Sequence, residues 1–246
     1  MSEIKSLARG LKILDLLGQS SDGISITELA ETLNVDKGSA SRLVSTLAHY
    51  GYAEKDEVTR RFHLGSQVVS LSRSVLTRMP LREAAKPYLR QLMERTGECA
   101  HLAIAAQGKT LYIDQVESPA TLRVNAQVGT MNPLHCTALG KALLAFGDLD
   151  LPTDLESFTP HTITDVETLR RHLDEVRRLG YAVDDEEFDP GVRCIAVPVF
   201  DFRGKAVGSI GISGPSSRIS SEQLPGMAKT VMEIGKSLSE RMTFTR

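Results

Sequence analysis

Between residues 3 and 51 the chain lays out three short amphipathic segments with stop and start signals only a few residues apart. Few folds other than a compact three-helix unit fit that spacing. Ile4, Leu7, Leu11, Leu14 and Leu17 recur at intervals of three and four, which predicts a helix over 3–18. Ser20, Ser21, Asp22 and Gly23 break it. Ser25-Ile26-Thr27-Glu28 reads as a capping box, in which Ser25 accepts from the Glu28 N–H and Glu28 reaches back. The short helix it opens carries Ile26, Leu29, Ala30 and Leu33 on one face. Asn34-Val35 forms a turn, and Asp36 is the expected N-cap of a third helix that runs to about Tyr50 and stops at Gly51.

Tyr52 to Lys55 and then Arg60-Arg61-Phe62-His63-Leu64 read as a short hairpin with basic residues on its returning strand. Three helices followed by a basic hairpin match a winged helix-turn-helix. On the third helix Ala40, Leu43, Val44 and Leu47 fall on one face. The opposite face carries Gly38, Ser41, Arg42, Ser45 and His49, with Lys37 and Ser39 near the start. Small hydroxyl residues allow close approach to a major groove, and Arg42 can reach guanine O6 and N7. Arg60 and Arg61 are candidates for a phosphate or the minor groove, and Arg9 and Lys12 for the DNA backbone. A serine-rich helix face alone is more often merely solvated. The order of elements and the basic hairpin favour double-stranded DNA as the partner. Bulk charge does not announce this: 29 basic residues face 31 acidic ones, and residues 1–79 carry 10 and 9. Any DNA contact must come from local placement of charge.

The domain expectation is 1–65 for the winged helix-turn-helix, 66–79 for a linker helix and 80–246 for a second domain. Residues 66–78 look helical, with Val68, Leu71, Val75 and Leu76 apolar, and Pro80 ends the segment. Beyond it the pattern predicts a helix over 81–96 closed by Gly97 and a hairpin of 99–106 with 109–117 around Gln107-Gly108. A strand over 121–127, a short helix from Thr137 to Phe146 and a charged helix from Asp165 to Leu179 follow. A second hairpin joins 193–200 to 206–213, and Ser220 to Gln223 reads as a capping box before a C-terminal helix. This mixture indicates an α+β protein. Cys99, Cys136 and Cys194 are odd in number and widely spaced, with no CxxC pair and no expected metal or cofactor. No apolar run approaches the roughly 18 residues of a membrane span. The start shows no secretory leader, so a soluble cytoplasmic protein is expected.

Two stretches of the second part carry more chemistry. One is Val128-Gly129-Thr130-Met131-Asn132-Pro133-Leu134-His135-Cys136-Thr137-Ala138-Leu139-Gly140-Lys141-Ala142. Its helix opens on small or apolar residues whose free N–H groups and dipole favour a carboxylate or carbonyl oxygen. The other runs from Gly180 through Asp184-Asp185-Glu186-Glu187 and Gly191-Val192-Arg193-Cys194-Ile195-Ala196-Val197-Pro198 to Ser213-Gly214-Pro215. A two-residue turn at Phe202-Arg203 or Arg203-Gly204 gives an odd pairing sum. That puts Cys194, Ala196 and Pro198 on the same face as Ser209, Gly211 and Ser213. The face is either a small ligand pocket, with Asp184 leading into it, or a small-residue core under a helix.

With these stretches the sequence resembles the IclR-type transcriptional regulators over nearly its full length. Asn132-Pro133-Leu134 and Arg193-Cys194-Ile195-Ala196-Val197-Pro198 also resemble the sugar-acid (2-keto-3-deoxygluconate) repressor branch. The resemblance implies a winged helix-turn-helix, a linker helix and a GAF-like effector domain. It implies dimers, often paired into tetramers, at a promoter palindrome, responding to small organic or aromatic acids. Carried over, the effector contacts are Ala138, Leu139, Asp184, Val192, Cys194 and Ser213. Gly211 stands where some small-acid-binding members have serine, which removes a hydroxyl and leaves room for a ligand larger than glyoxylate or pyruvate. A carboxylate beside Asp184 is repelled unless a hydroxyl proton lies between them. The expected effector is therefore a carboxylate-bearing molecule, held by its acid at the helix start with hydroxyl groups near Asp184. A competing expectation makes Cys136 or Cys194 a nucleophile and His135 its base, in an enzyme with an accessory winged helix. A zinc site from these residues has no matching spacing, and Asp185 to Glu187 read as a solvated acidic loop.

Overall fold

The computed structural model describes residues 3–124 and 126–243. The chain divides into two compact units, Met1–Arg78 and Met79–Arg246.

The first unit holds α1 (Lys5–Gln19), α2 (Ile26–Leu33), α3 (Lys37–His49), β1 (Ala53–Lys55), β2 (Phe62–Leu64) and α4 (Gln67–Leu76). Its core joins Ile13 and Leu17 of α1, Leu29 and Leu33 of α2, Ala40 and Val44 of α3, and Ala53 and Phe62 of the hairpin. The capping box closes as the sequence predicts. The Ser25 N–H donates to Glu28 Oε2 at 2.7 Å, and the Glu28 N–H donates to Ser25 Oγ at 3.3 Å. Asn34 ends α2 in the left-handed region at φ 51°. Asp36 caps α3 by accepting the Ser39 N–H at 2.8 Å. The hairpin pairs antiparallel, Ala53 with Leu64 and Lys55 with Phe62. Arg60 and Arg61, expected on the returning strand, precede it in the connecting loop, and β2 starts at Phe62. Asp56 stiffens that loop by accepting the N–H groups of Val58 and Thr59. Helix α4 buries none of its residues, and Val69, Leu71 and Val75 are exposed.

In the second unit α5 (Pro80–Thr96) begins on Pro80 and ends at Gly97 with φ 74°. Pro80 thus opens a helix, its fixed φ and missing N–H suiting a first turn. The strands are β3 (Cys99–Ala106), β4 (Lys109–Val116), β5 (Met131–Pro133), β6 (Ala182–Asp185), β7 (Val192–Phe200) and β8 (Ala206–Pro215). They form one sheet in the order β5-β4-β3-β8-β7-β6, with every pairing antiparallel. One face packs on α5 and α8 (Leu224–Thr243) through Leu89, Leu92, Ile195, Val197, Ile210, Ile212, Val231 and Leu238. The other packs on α6 (Ala138–Phe146) and α7 (Val166–Leu179) through Ala103, Ala142, Leu143, Leu169, Leu173 and Ala196. Strand alternation sorts the residues between the two faces, so 195, 197, 210 and 212 face away from 194, 196, 211 and 213.

The strand expected over 121–127 is absent at 121–124 and 126–127, and Asn125 lies outside the described residues. Side chains organise that segment instead: Ser118 Oγ donates to the Gly97 carbonyl, and Arg218 Nη2 donates to the Leu122 carbonyl. The β7–β8 hairpin pairs Cys194 with Ser213, Ala196 with Gly211 and Pro198 with Ser209, the register the sequence predicts. Its turn is not the expected one. Asp201 and Lys205 close a three-residue tip with Gly204 at φ 73°. A shift between Val199 and Phe200 then restores the register.

Candidate functional site

The outward side of α3 presents Lys37, Arg42 and Ser45 to solvent, with Ser39 and Ser41 half-buried. Asp36 accepts both the N–H and the hydroxyl of Ser39, and Ser39 Oγ in turn accepts from Arg42 Nη2 at 3.1 Å. The cap therefore places Arg42 over the first turn of the helix. Arg9 lies half-buried on α1. Arg60 sits exposed at the hairpin loop with φ 60°, paired with Glu57 at 3.0 Å.

Arg61 has a different place from the one the sequence suggests. Its Nε donates to the Gly23 carbonyl at 3.0 Å, and its Nη2 donates to both Glu28 oxygens at 2.9 and 2.8 Å. It fastens the hairpin to the start of α2. With the Ser25 N–H and hydroxyl also at hand, the Glu28 carboxyl is pushed down to about 2.

In the second unit a cavity of about 340 Å3 opens between the α6 side of the sheet and the segments that follow β4 and β6. That size suits a small-molecule site. Asp184, Val192, Cys194 and Ser213 line it. Ala138 and Leu139 line instead a small adjoining cavity of about 20 Å3, which shares Thr137, Cys194 and Ser213 with the main one. At the N-terminus of α6, Thr137 Oγ1 accepts from the Gly140 N–H at 3.2 Å and donates to the Pro133 carbonyl at 2.8 Å. The N–H groups of Ala138 and Leu139, in the first turn, have no carbonyl within the helix to bind. The turn fits closely: a Cβ on Gly140 would lie 2.5 Å from the Leu134 carbonyl oxygen.

Asp184 is buried, and its Oδ1 accepts the N–H groups of Glu187 at 2.8 Å and Phe188 at 3.4 Å. Burial pushes its carboxyl up to about 7, against the pull of those N–H groups and of Lys141. Behind it Lys141 is ion-paired with Glu187, both buried. Loss of solvation lifts the Cys194 thiol well above its ordinary value, and the neighbouring Asp184 adds to the rise. Burial likewise pushes Cys136 up to about 12, and His135 Nε2 lies 3.0 Å from the Glu156 carbonyl oxygen. A raised thiol pKa works against a nucleophilic thiolate at either cysteine.

The small-residue face is a pocket at one end and a core at the other. Cys194 and Ser213 reach the cavity, whereas Ala196 packs beneath α6. Gly211 leaves no extra room, contrary to expectation. A Cβ there would meet the Ile195 carbonyl oxygen at 2.2 Å and Ala196 Cα at 2.8 Å. Glycine at this position serves the close approach of β7 and β8.

Sequence reasoning passed over His101, Tyr112 and Asn132, which line the opposite wall from β3, β4 and β5. His101 Nε2 lies 2.6 Å from Ser213 Oγ, and its ring meets Tyr112 edge-on at 5.6 Å. A buried histidine in the otherwise apolar run Ala100-His101-Leu102-Ala103 was the available signal. No Lys or Arg is among the described residues that line the cavity. No helix of the described residues is long and apolar enough to cross a membrane.

Residues 6–57 match the family model for the IclR helix-turn-helix domain, and residues 73–240 match that for the bacterial transcriptional regulator IclR C-terminal domain. The HTH-type transcriptional regulator BhcR of Paracoccus denitrificans is 41% identical over 242 residues, covering 96% of this chain and 86% of that protein. The HTH-type transcriptional repressor AllR of Escherichia coli is 31% identical over 241 residues, covering 96% and 89%. The crystal structure of the Thermotoga maritima IclR superposes with a TM-score of 0.76 at 29% identity, covering 98% of this chain and 100% of that one.

Proposed function

Because the chain belongs to the IclR family of bacterial transcriptional regulators, and is a DNA-binding regulator rather than an enzyme, we propose that it is a cytoplasmic repressor whose grip on a promoter palindrome is set by a small carboxylate-bearing effector. The repressor assignment is supported by AllR, a named repressor. We assign promoter contact to Lys37, Ser39, Ser41, Arg42 and Ser45 of α3, with Arg9 and Arg60 against phosphates. Arg61 is left out of that set because its guanidinium holds the hairpin on α2.

One observation carries the effector reading: a cavity of about 340 Å3 walled by Asp184, Ser213, Cys194 and other polar groups, with the N-terminus of α6 at a small adjoining cavity and no lysine or arginine among the described residues that line it. A carboxylate there has the Ala138 and Leu139 N–H groups and the helix dipole as partners. A second negative charge would find no lysine or arginine among the described lining residues to balance it, and Lys141 behind the wall is already paired with Glu187. The fitting ligand is a monoanionic acid bearing hydroxyl or carbonyl oxygens, such as a sugar acid.

Self-association is supported by apolar side chains exposed on the first unit: Ile4 at the N-cap of α1, Leu7 and Leu11 of α1, and Val69, Leu71 and Val75 of α4. We read these as dimer surface, with the dimer capable of pairing again into a tetramer. The effector acts by favouring one placement of the two DNA-binding units over another.

The test is binding of the purified protein to the DNA upstream of its own gene, against random duplex at fixed salt, with and without monoanionic acids. Preference for the upstream DNA that an acid abolishes is the expected result. Equal affinity for both duplexes under all conditions would overturn the reading.

A further inference from the structure

His101 is a buried histidine whose two ring nitrogens have unequal surroundings. Nε2 lies 2.6 Å from Ser213 Oγ, while Nδ1 is buried with no hydrogen-bond partner. Burial pushes the ring's pKa down to about 4, so it is neutral near pH 7 and carries one proton. That proton has two possible seats. On Nδ1 it would be an orphaned buried donor, which native structures rarely tolerate, whereas a bare acceptor nitrogen is the lesser fault. On Nε2 it has Ser213 Oγ to donate to.

We propose that His101 is a positioning residue for the effector: its Nε2–H donates to Ser213 Oγ and thereby commits the Ser213 hydroxyl hydrogen to point into the cavity. With one lone pair of Oγ occupied by the imidazole N–H, the hydroxyl does not need the ring as its acceptor. Ser213 lines the cavity, and no other partner engages its side chain among the described residues. It therefore presents a donor. The group it selects is an oxygen without a proton of its own, a carboxylate or carbonyl oxygen. Tyr112, stacked edge-on at 5.6 Å, keeps the imidazole in place. The cavity then has polarity along its length. It offers the donor Ser213 at one wall and Asp184, whose carboxyl can accept from a hydroxyl, at another. An effector with an unprotonated oxygen at one position and a hydroxyl at another satisfies both walls. This specifies the ligand chemistry of the effector site and rests on that reading of the cavity.

The experiment labels the histidines of the full-length protein with heavy nitrogen and reads the ring tautomer by NMR, with His101→Gln assigning the signal. The expected result is a neutral ring protonated on Nε2, which becomes a tautomer mixture in Ser213→Ala. A proton on Nδ1, or no response to Ser213→Ala, would overturn the proposal. In parallel, calorimetry with pyruvate, glycolate and gluconate compares His101→Phe, which cannot donate, with His101→Gln, which can. An acid that binds the natural protein is expected to bind His101→Phe about tenfold more weakly, the worth of one buried hydrogen bond, and His101→Gln nearly as well as the natural protein. Equal loss in both variants would mean packing alone and would overturn it. If no acid bound, the effector reading would fall, while the tautomer would still decide the His101–Ser213 assignment.

Discussion

Lys141, with no exposed surface, is ion-paired with Glu187, the residue whose backbone N–H donates to the Asp184 carboxylate. A buried pair thus fastens the first turns of α6 to the turn after β6, where two walls of the cavity meet.

Removing one partner leaves the other charged and stranded. Lys141→Met is expected to cost about 3–5 kcal/mol in the second unit, because Glu187 keeps its desolvation without its cation. Changing both, Lys141→Met with Glu187→Leu, is expected to restore most of that loss. Denaturant midpoints of the effector-domain transition in the single and double variants read this directly. A double variant no better than the single would refute the pairing argument.

The pH dependence has a definite sign. Asp184 is raised to about 7 by burial, with the neighbouring Glu187 carboxylate pushing the same way and Lys141 and two N–H groups opposing. A raised acid stabilises the fold fully below its unfolded value and loses that contribution as pH rises through about 7. An anion bound beside Asp184 favours the protonated form further. Affinity for a monoanionic acid should therefore fall above pH 7, approaching about tenfold per unit. Asp184→Asn should flatten the curve, as calorimetry in buffers from mildly acid to mildly alkaline pH would reveal.

Arg42, Arg60 and Arg61 should separate cleanly. Arg42→Ala is expected to lose about 1–3 kcal/mol of specific binding and to relax preference at one base position. Arg60→Ala is expected to lower the salt slope by about 1 while leaving sequence preference intact. Arg61→Ala should leave the slope alone and lower the melting temperature of the first unit, because its partners are Glu28 and the Gly23 carbonyl. Fluorescence anisotropy across a salt series distinguishes the three.

Cys194→Phe places a ring in the cavity beside Ser213. It should abolish the response to effector while DNA affinity stays unchanged, as a gel-shift titration with and without acid would record. Retained response would place the effector elsewhere.

Gly211→Ser should destabilise the second unit by about 1–3 kcal/mol, since its Cβ has to displace the β7 backbone. Thermal unfolding measures the loss, and a neutral outcome would contradict the close strand approach.

What the sequence made legible was mostly local. Ser25 with Glu28, Asp36, Gly97 and Gly180 are caps whose partners lie within a few residues, so their chemistry is visible in the string itself. Strand alternation and an antiparallel register brought Cys194 and Ser213 to one face, whereas Asp184 entered the effector set through the family resemblance, and its pairing with Cys194 across β6 and β7 is what places it beside them. His101 escaped because its partner Ser213 is distant in sequence and meets it only through the β3–β8 pairing. The strand expected over 121–127 failed for the same reason, since Arg218 reaches back from after β8 to hold the Leu122 carbonyl. Arg61 was misjudged because its charge was visible and its neighbour Glu28 was not.

The irregular step between Val199 and Phe200 has an evolutionary corollary. It lies between the hairpin tip and the rungs that line the cavity, so the change of register at the tip ends before Cys194 and Ser213. Additions or losses at Phe202 to Gly204 can be absorbed there, leaving Cys194 opposite Ser213. Relatives should therefore differ freely in the length of that tip while keeping the same effector chemistry.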